Sequence, residues 1–240
     1  MNGEKKKPTK RGVKFSSEGK LAIIILIGLI FFSGVLMISY MIRTAEEEEP
    51  CDSRYCLMDD KPMIYLYPET KTEVTVKLGN PQRLTTTYPK YNNGWKVTAE
   101  PSGKLLGRDG REYYGLYWEG TNMLYRENNE GFVVKGEDTA QFLEEKLAIL
   151  GLTEREAEEF IVYWLPKMEH NEYNYVRFAS DLEIALDMPM NVSPKPDTVI
   201  RIMMITKKLD GPKALREQNL TPVERKGFTV VEWGGTNLGL

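Results

Sequence analysis

Two glutamates beside tryptophans are the residues of this chain best suited to chemistry. Glu119 follows Trp118, Glu232 precedes Trp233, and a glycine comes soon after each pair at the end of a predicted strand. Glycosidases place two carboxyl groups on either side of a sugar, which makes Glu119 and Glu232 a candidate catalytic pair. In the alternative interpretation both tryptophans are core residues and each glutamate faces water, because neighbours in a strand point to opposite faces.

The only histidine, His170, lies in a polar segment with Glu169 before it and Glu172 two residues after it. These residues could supply a general base or a metal ligand. If the protein is a hydrolase, His170 is therefore a third candidate catalytic residue beside Glu119 and Glu232. No His-x-x-x-His spacing or Cys/His cluster supports a metal site, and no Gly-x-Ser-x-Gly segment indicates a nucleophilic serine. We therefore expect no metal and no cofactor, and a solvated His170 is the plainer interpretation.

Aromatic residues next to the two glutamates are the candidate binding residues. Tyr117, Trp118 and Trp233 lie in predicted strands, in a chain with 13 tyrosines. Amphipathic aromatic rings suit a binding surface, although the same residues are also ordinary strand formers. The sequence leaves these two interpretations open.

Cys51 and Cys56 are the only cysteines of the chain. Two thiols are too few for a structural zinc site, which has four ligands. Outside the cytoplasm they could close a small disulfide loop, which would contribute about 2 kcal/mol. In a reducing compartment they would be free thiols.

A long apolar segment near the N-terminus predicts a membrane anchor. Residues 21–42 contain no charged side chain, and a helix of that length spans about 33 Å, against about 30 Å for the hydrocarbon core of a bilayer. A signal peptide has an apolar region of only about 7–15 residues, and a buried core helix is rarely apolar on all faces. We therefore expect residues 21–42 to be one transmembrane helix in contact with the lipid bilayer.

Charges on either side of this segment predict its orientation. Residues 1–20 carry a net charge of +5, whereas residues 43–61 are polar and include four consecutive glutamates. Because basic flanks stay in the cytoplasm, we expect a cytoplasmic tail at 1–20, a polar stalk at 43–61 and an extracytoplasmic domain at 62–240. The part after residue 20 is acidic, which argues against a nucleic-acid partner.

The pattern after the stalk predicts an α+β fold, an antiparallel β-rich sheet or sandwich with an inserted helical hairpin. Alternating or apolar runs indicate strands at 63–67, 73–78, 95–100, 112–119, 131–135, 173–178, 198–206 and 227–233. Residues 136–166 are predicted to form the hairpin, because Thr153 and Glu156 make a capping box before a stripe at helical spacing. That stripe consists of Ala157, Phe160, Ile161 and Trp164.

Four short strings resemble a group of uncharacterised bacterial proteins whose members often carry an N-terminal membrane span. These strings are KPMIYLYP at 61–68, TYPKY at 87–91, YWLP at 163–166 and VEWGG at 231–235. The resemblance covers most of residues 61–235. It implies a bacterial origin and a shared extracytoplasmic domain, and it brings no activity or site residue.

Taken together, these features predict a single-pass membrane protein that displays a non-catalytic binding module outside the cell membrane. Its expected partner is an extracytoplasmic protein or polymer. The alternative is an anchored hydrolase of cell-envelope glycan or peptide that uses Glu119, Glu232 and His170.

Overall fold

The computed structural model of this protein describes residues 57–239, together with residues 29, 32–34 and 37, which are helical and exposed. No helix within these described residues is long and apolar enough to cross a membrane. The predicted disulfide between Cys51 and Cys56 lies outside them, as do most positions of the predicted anchor at 21–42. Both therefore stay predictions.

Residues 57–239 form a fold of short strands with a few helices. The strands are β1 (Leu57–Tyr67), β2 (Thr72–Leu78), β3 (Leu84–Tyr88), β4 (Trp95–Ala99), β5 (Leu105–Gly107), β6 (Glu112–Tyr113), β7 (Leu116–Asn122), β8 (Glu130–Lys135), β9 (Tyr173–Phe178), β10 (Met190–Ser193), β11 (Thr198–Leu209), β12 (Arg216–Glu217) and β13 (Thr229–Asn237). The α-helices are α1 (Thr139–Ile149), α2 (Glu154–Trp164) and α3 (Asp181–Asp187), and short 3-10 helices cover Pro81–Arg83, Gly136–Asp138 and Leu165–Lys167. The predicted β-rich α+β class is confirmed.

The strands form two sheets. The larger sheet has the order β12-β8-β9-β11-β13-β1-β7-β3, and the smaller has the order β10-β2-β4-β5-β6. Most neighbours are antiparallel, as predicted, but β11 runs parallel to β13, and β12 to β8. The long connection at 210–228 permits the central parallel pair, because parallel neighbours need a crossover of about a dozen residues or more.

The larger sheet is covered on both faces, which produces three layers. On one face Ile64 and Leu66 of β1 join a core shared with Val76 and Trp95 of the smaller sheet. On the other face the alternate residues of β1 pack with the helices, in a second core that contains Phe160 and Trp164 among others. Both faces of β13 are therefore buried, and its residues do not alternate between buried and exposed positions.

The helical hairpin is formed by α1 and α2, and the capping box that was predicted at the start of α2 is present. The Thr153 hydroxyl accepts a hydrogen bond from the Glu156 amide, and the Glu156 carboxylate accepts one from the Thr153 amide. Ala157, Phe160 and Trp164 are buried. A second capping box lies at the start of α3, where no helix was predicted.

Two boundaries differ from the sequence-based expectation. β1 begins at Leu57, so residues 57–61 belong to the larger sheet and not to the predicted stalk. β10 lies at a position where no strand was predicted, and it forms because it pairs with β2. In both cases the strand pairs with a segment that is distant in sequence, and the local residue pattern does not indicate this pairing.

Candidate functional site

A cleft rich in tyrosine lies where β1, β6 and β7 approach the end of α2. We call it the tyrosine cleft; it has a volume of 490 Å³ and is lined by Lys61, Met63, Tyr88, Glu112, Tyr113, Tyr114, Gly115, Tyr117, Glu119 and Tyr163. Its size is typical of small-ligand sites, which measure about 300–1,000 Å³. Large aromatic faces beside a few charged groups can hold a ligand by stacking and hydrogen bonding.

A bulge in β1 places Lys61 at this cleft. The register of β1 shifts just before Met63 against both β7 and β13, and Lys61 has a φ of 51°. Positive φ is uncommon for residues other than glycine, and bulges frequently redirect side chains beside functional sites. The Lys61 ammonium lies 5.1 Å from the centroid of the Tyr163 ring and 5.6 Å from that of Trp233. Within the described residues no carboxylate forms an ion pair with Lys61.

The alternation of β7 directs Tyr117 and Glu119 into the same cleft. Burial and a hydrogen bond to Glu119 raise the pKa of the Tyr117 hydroxyl. The Tyr117 hydroxyl therefore stays protonated and can donate a hydrogen bond to the Glu119 carboxylate. Because an ionised carboxylate has about four acceptor positions, Glu119 can still accept hydrogen bonds from a ligand.

A second carboxylate, Asp60, lies next to Glu119 on the same face of the sheet. The β1–β7 register pairs Asp59 with Gly120, so the following residue, Asp60, shares the face of Glu119. Burial raises the pKa of Asp60, the Lys167 ammonium lowers it, and the charge of Glu119 raises it further. Lys167 lies 3.6 Å from Asp60 Oδ2. It also donates a 3.0 Å hydrogen bond to the Tyr163 hydroxyl.

Glu232, predicted as the catalytic partner of Glu119, lies on the opposite face of the larger sheet. Ile64 pairs with both Leu116 and Glu232, so Glu232 shares the face of Leu116 and Trp118, and not that of Glu119. Glu232 is fully buried, and it accepts hydrogen bonds from Trp118 Nε1 at 2.9 Å and Arg201 Nε at 2.5 Å. The sheet therefore separates the two glutamates, and they do not form a glycosidase pair.

The other predicted site residues also separate. Trp118 and Trp233 are fully buried core residues, so of the three predicted binding residues only Tyr117 lines the cleft. The His170 side chain is 85% exposed, with Nε2 3.6 Å from the Glu169 carboxylate. It lies after the 3-10 turn that follows α2, and it is not among the residues that line the cleft. The plainer interpretation, core tryptophans and a solvated histidine, fits these positions.

Sequence reasoning missed several cleft residues, and also Asp60, which lies beside the cleft. Asp60 and Lys61 were predicted to belong to the stalk, and Tyr163 was predicted only to be part of the helical hairpin. Lys61-Pro62 before an apolar run was a usable signal, because proline inside a strand is confined to edges and bulges. No comparable local signal brings Tyr163 to β7.

The cleft offers aromatic faces, carboxylate acceptors and the Lys61 ammonium, which has no ion-pair partner among the described residues. Among the described residues there is no group of three or more His, Cys, Asp or Glu side chains that could hold a metal ion. Comparison of the chain with protein-family models, curated proteins and solved structures gave no match.

Proposed function

We propose that this protein is a single-pass, membrane-anchored binding module whose extracytoplasmic ligand occupies the tyrosine cleft. The observation that carries the proposal is the concentration of five tyrosines around Glu119 and Lys61. Two of these rings, Tyr88 and Tyr114, are 56% and 55% exposed. Tyrosine is enriched at binding surfaces because it buries a large rigid area and keeps a polar group.

The predicted anchor limits where the ligand can be. Only residues 43–56 separate the predicted membrane segment from the first residue of β1. Even fully extended, 14 residues span about 50 Å. The proposed partner is therefore a protein or polymer of the cell envelope close to the outer surface of the membrane.

A second candidate function, hydrolysis of an envelope glycan, is favoured by one observation. Asp60 and Glu119 are two carboxyl groups on one face beside the cleft, and burial raises the pKa of Asp60, as a general acid requires. This pair replaces the predicted pair of Glu119 and Glu232. Incubating the full chain with isolated cell walls distinguishes the functions. Release of soluble fragments that Asp60→Asn abolishes would indicate a hydrolase, and no release would leave the binding module.

Co-sedimentation with insoluble cell-wall material tests the binding proposal. We expect the full chain in detergent micelles to sediment with isolated bacterial cell walls. The double variant Tyr88→Ala/Tyr114→Ala should bind at least about tenfold more weakly, as loss of central aromatic contacts does. Leu182→Ala, which removes an equally exposed apolar side chain on α3, is the matched control and should bind like the wild type. Equal binding of the double variant and the control would contradict the proposal.

A further inference from the structure

A second cavity adjoins the tyrosine cleft and shares part of its wall. It has a volume of 590 Å³, and Glu112, Tyr113 and Tyr114 line both cavities. We call the two together the paired groove. Tyr65 and Tyr67 line the second cavity, and the Tyr65 ring lies 6.4 Å from each of the rings of Tyr67 and Tyr114. A row of aromatic rings therefore connects the two cavities.

Two tyrosine hydroxyl groups of the paired groove, those of Tyr65 and Tyr113, are already directed at carboxylates. Tyr65 donates a 2.6 Å hydrogen bond to Glu159 Oε2. Tyr113 donates a 2.6 Å hydrogen bond to Asp109 Oδ2, and burial and the neighbouring Glu156 carboxylate raise the pKa of the Tyr67 hydroxyl. Beside the Lys61 ammonium and the exposed hydroxyl groups of Tyr88 and Tyr114, the groove therefore offers a ligand the carboxylate oxygens of Glu119 and Glu159, which only accept hydrogen bonds.

The cations of the second cavity are neutralised by neighbouring carboxylates. Arg225 is paired with Glu156, and Arg155 Nε lies 3.4 Å from Glu159 Oε1. Lys104 is paired with Glu112. Each of the three cations that the structure places in this wall is therefore paired, which disfavours a polyanion as the ligand.

A ligand for such a groove must offer flat apolar faces and hydroxyl donors. Sugar rings have both. Proline-rich peptides, which also dock in aromatic grooves, present mainly carbonyl acceptors and lack the donors that these carboxylates would bind. We propose, resting on the function proposed above, that the ligand is a linear glycan strand that crosses Tyr114 and occupies both cavities.

Chain-length dependence tests this inference. Size-fractionated glycan fragments released from isolated cell walls are titrated calorimetrically into the full chain in detergent. We expect affinity to rise with fragment length until both cavities are filled, and then to level off. Glu119→Gln should weaken the binding of short and long fragments alike, about tenfold, the usual effect of losing a hydrogen bond to a charged group. Glu159→Gln should weaken only the long fragments to the same extent.

Glu158→Gln is the matched control, because Glu158 is exposed on the same helix and lines neither cavity. Affinity independent of fragment length would overturn the two-cavity arrangement. A proline-rich peptide that displaces the glycan, or binds in its place, would overturn the ligand class. Cell-wall co-sedimentation through the tyrosine cleft without any glycan binding would overturn the inference and leave the proposed function standing.

Discussion

Glu119 and Glu232 show how the face of a strand decides what a carboxylate can do. Both follow the same local pattern, yet Glu119 lines an open cleft and Glu232 is enclosed by Trp118 and Arg201. A charge with no access to water must be compensated by its partner, so Glu232 is a structural residue. The sequence made both glutamates candidates for one catalytic pair. It could not show that the two lie on opposite faces, because that depends on which strands are neighbours.

Replacing Glu232 should therefore lower stability. We expect Glu232→Gln to reduce the free energy of unfolding by about 3 kcal/mol, because it leaves Arg201 buried without its counter-charge. Urea denaturation of the full chain in detergent, followed by tryptophan fluorescence, measures this change. Glu158→Gln should stay within about 0.5 kcal/mol of the wild type. If Glu232→Gln were as stable as the wild type but no longer bound cell walls, Glu232 would have a functional role and not a structural one.

A buried pair of aspartates should make stability depend on pH. Asp59 and Asp187 are fully buried, and among the described residues Oδ2 of each has no hydrogen-bond partner. A proton shared between the two carboxyl groups would give both oxygens a partner. Burial, and then the charge of Asp187, raises the pKa of Asp59, while Thr236 and Arg83 lower it. Burial raises the pKa of the nearby Tyr125 hydroxyl, and the surrounding carboxyl groups raise it further.

The sign of the pH dependence follows from this raised pKa. Above the ordinary value of 3.8, the unfolded chain loses a proton that the folded chain retains, so the contribution to stability is lost as pH rises toward the folded pKa. Asp59→Asn keeps a donor toward Asp187 at every pH. We expect its stability relative to the wild type to increase as the pH rises above the ordinary value of 3.8. Denaturation curves at several pH values measure the difference, and a constant difference would contradict the shared proton.

The elements differ in how far the sequence could predict them. The α1–α2 hairpin was predicted because its capping box and its apolar stripe lie within a few turns of each other. The bulge at Lys61 was not, because its register is defined against both β7 and β13, which lie far along the chain. α3 could have been predicted from Ser180 and Glu183, which form its capping box. The cleft itself needs β1, β7 and α2 together, and no local pattern contains that arrangement.

At the level of the elements, the N-terminal cap of α2 should stabilise the layer that covers the larger sheet. We expect Thr153→Ala to lower the free energy of unfolding by about 1 kcal/mol, because it removes the hydroxyl that accepts from the Glu156 amide. Thr70→Ala, at an exposed loop position, is the matched control and should change stability by less than about 0.5 kcal/mol. Equal stability of the two variants in thermal denaturation would show that the cap adds nothing.

For the whole molecule, the orientation of the predicted anchor determines on which side of the membrane we expect the tyrosine cleft. The cleft belongs to a body at 57–239, and the predicted membrane segment precedes it by a short polar stretch. Protease added to intact cells should release the body by cutting within residues 43–56 and leave the basic tail protected. Complete protection of the chain would place the tyrosine cleft inside the cell and exclude an envelope ligand.

Hydroxyl-radical footprinting of the wall-bound chain tests the central proposal most directly. Oxidation of each side chain is compared by mass spectrometry between the chain sedimented with cell walls and the free chain. We predict that Tyr88 and Tyr114 become protected, while Met123 and Leu182, which are exposed elsewhere, are oxidised as before. Unchanged oxidation of Tyr88 and Tyr114 in the bound chain, with protection of another surface, would contradict the assignment of the tyrosine cleft as the binding site.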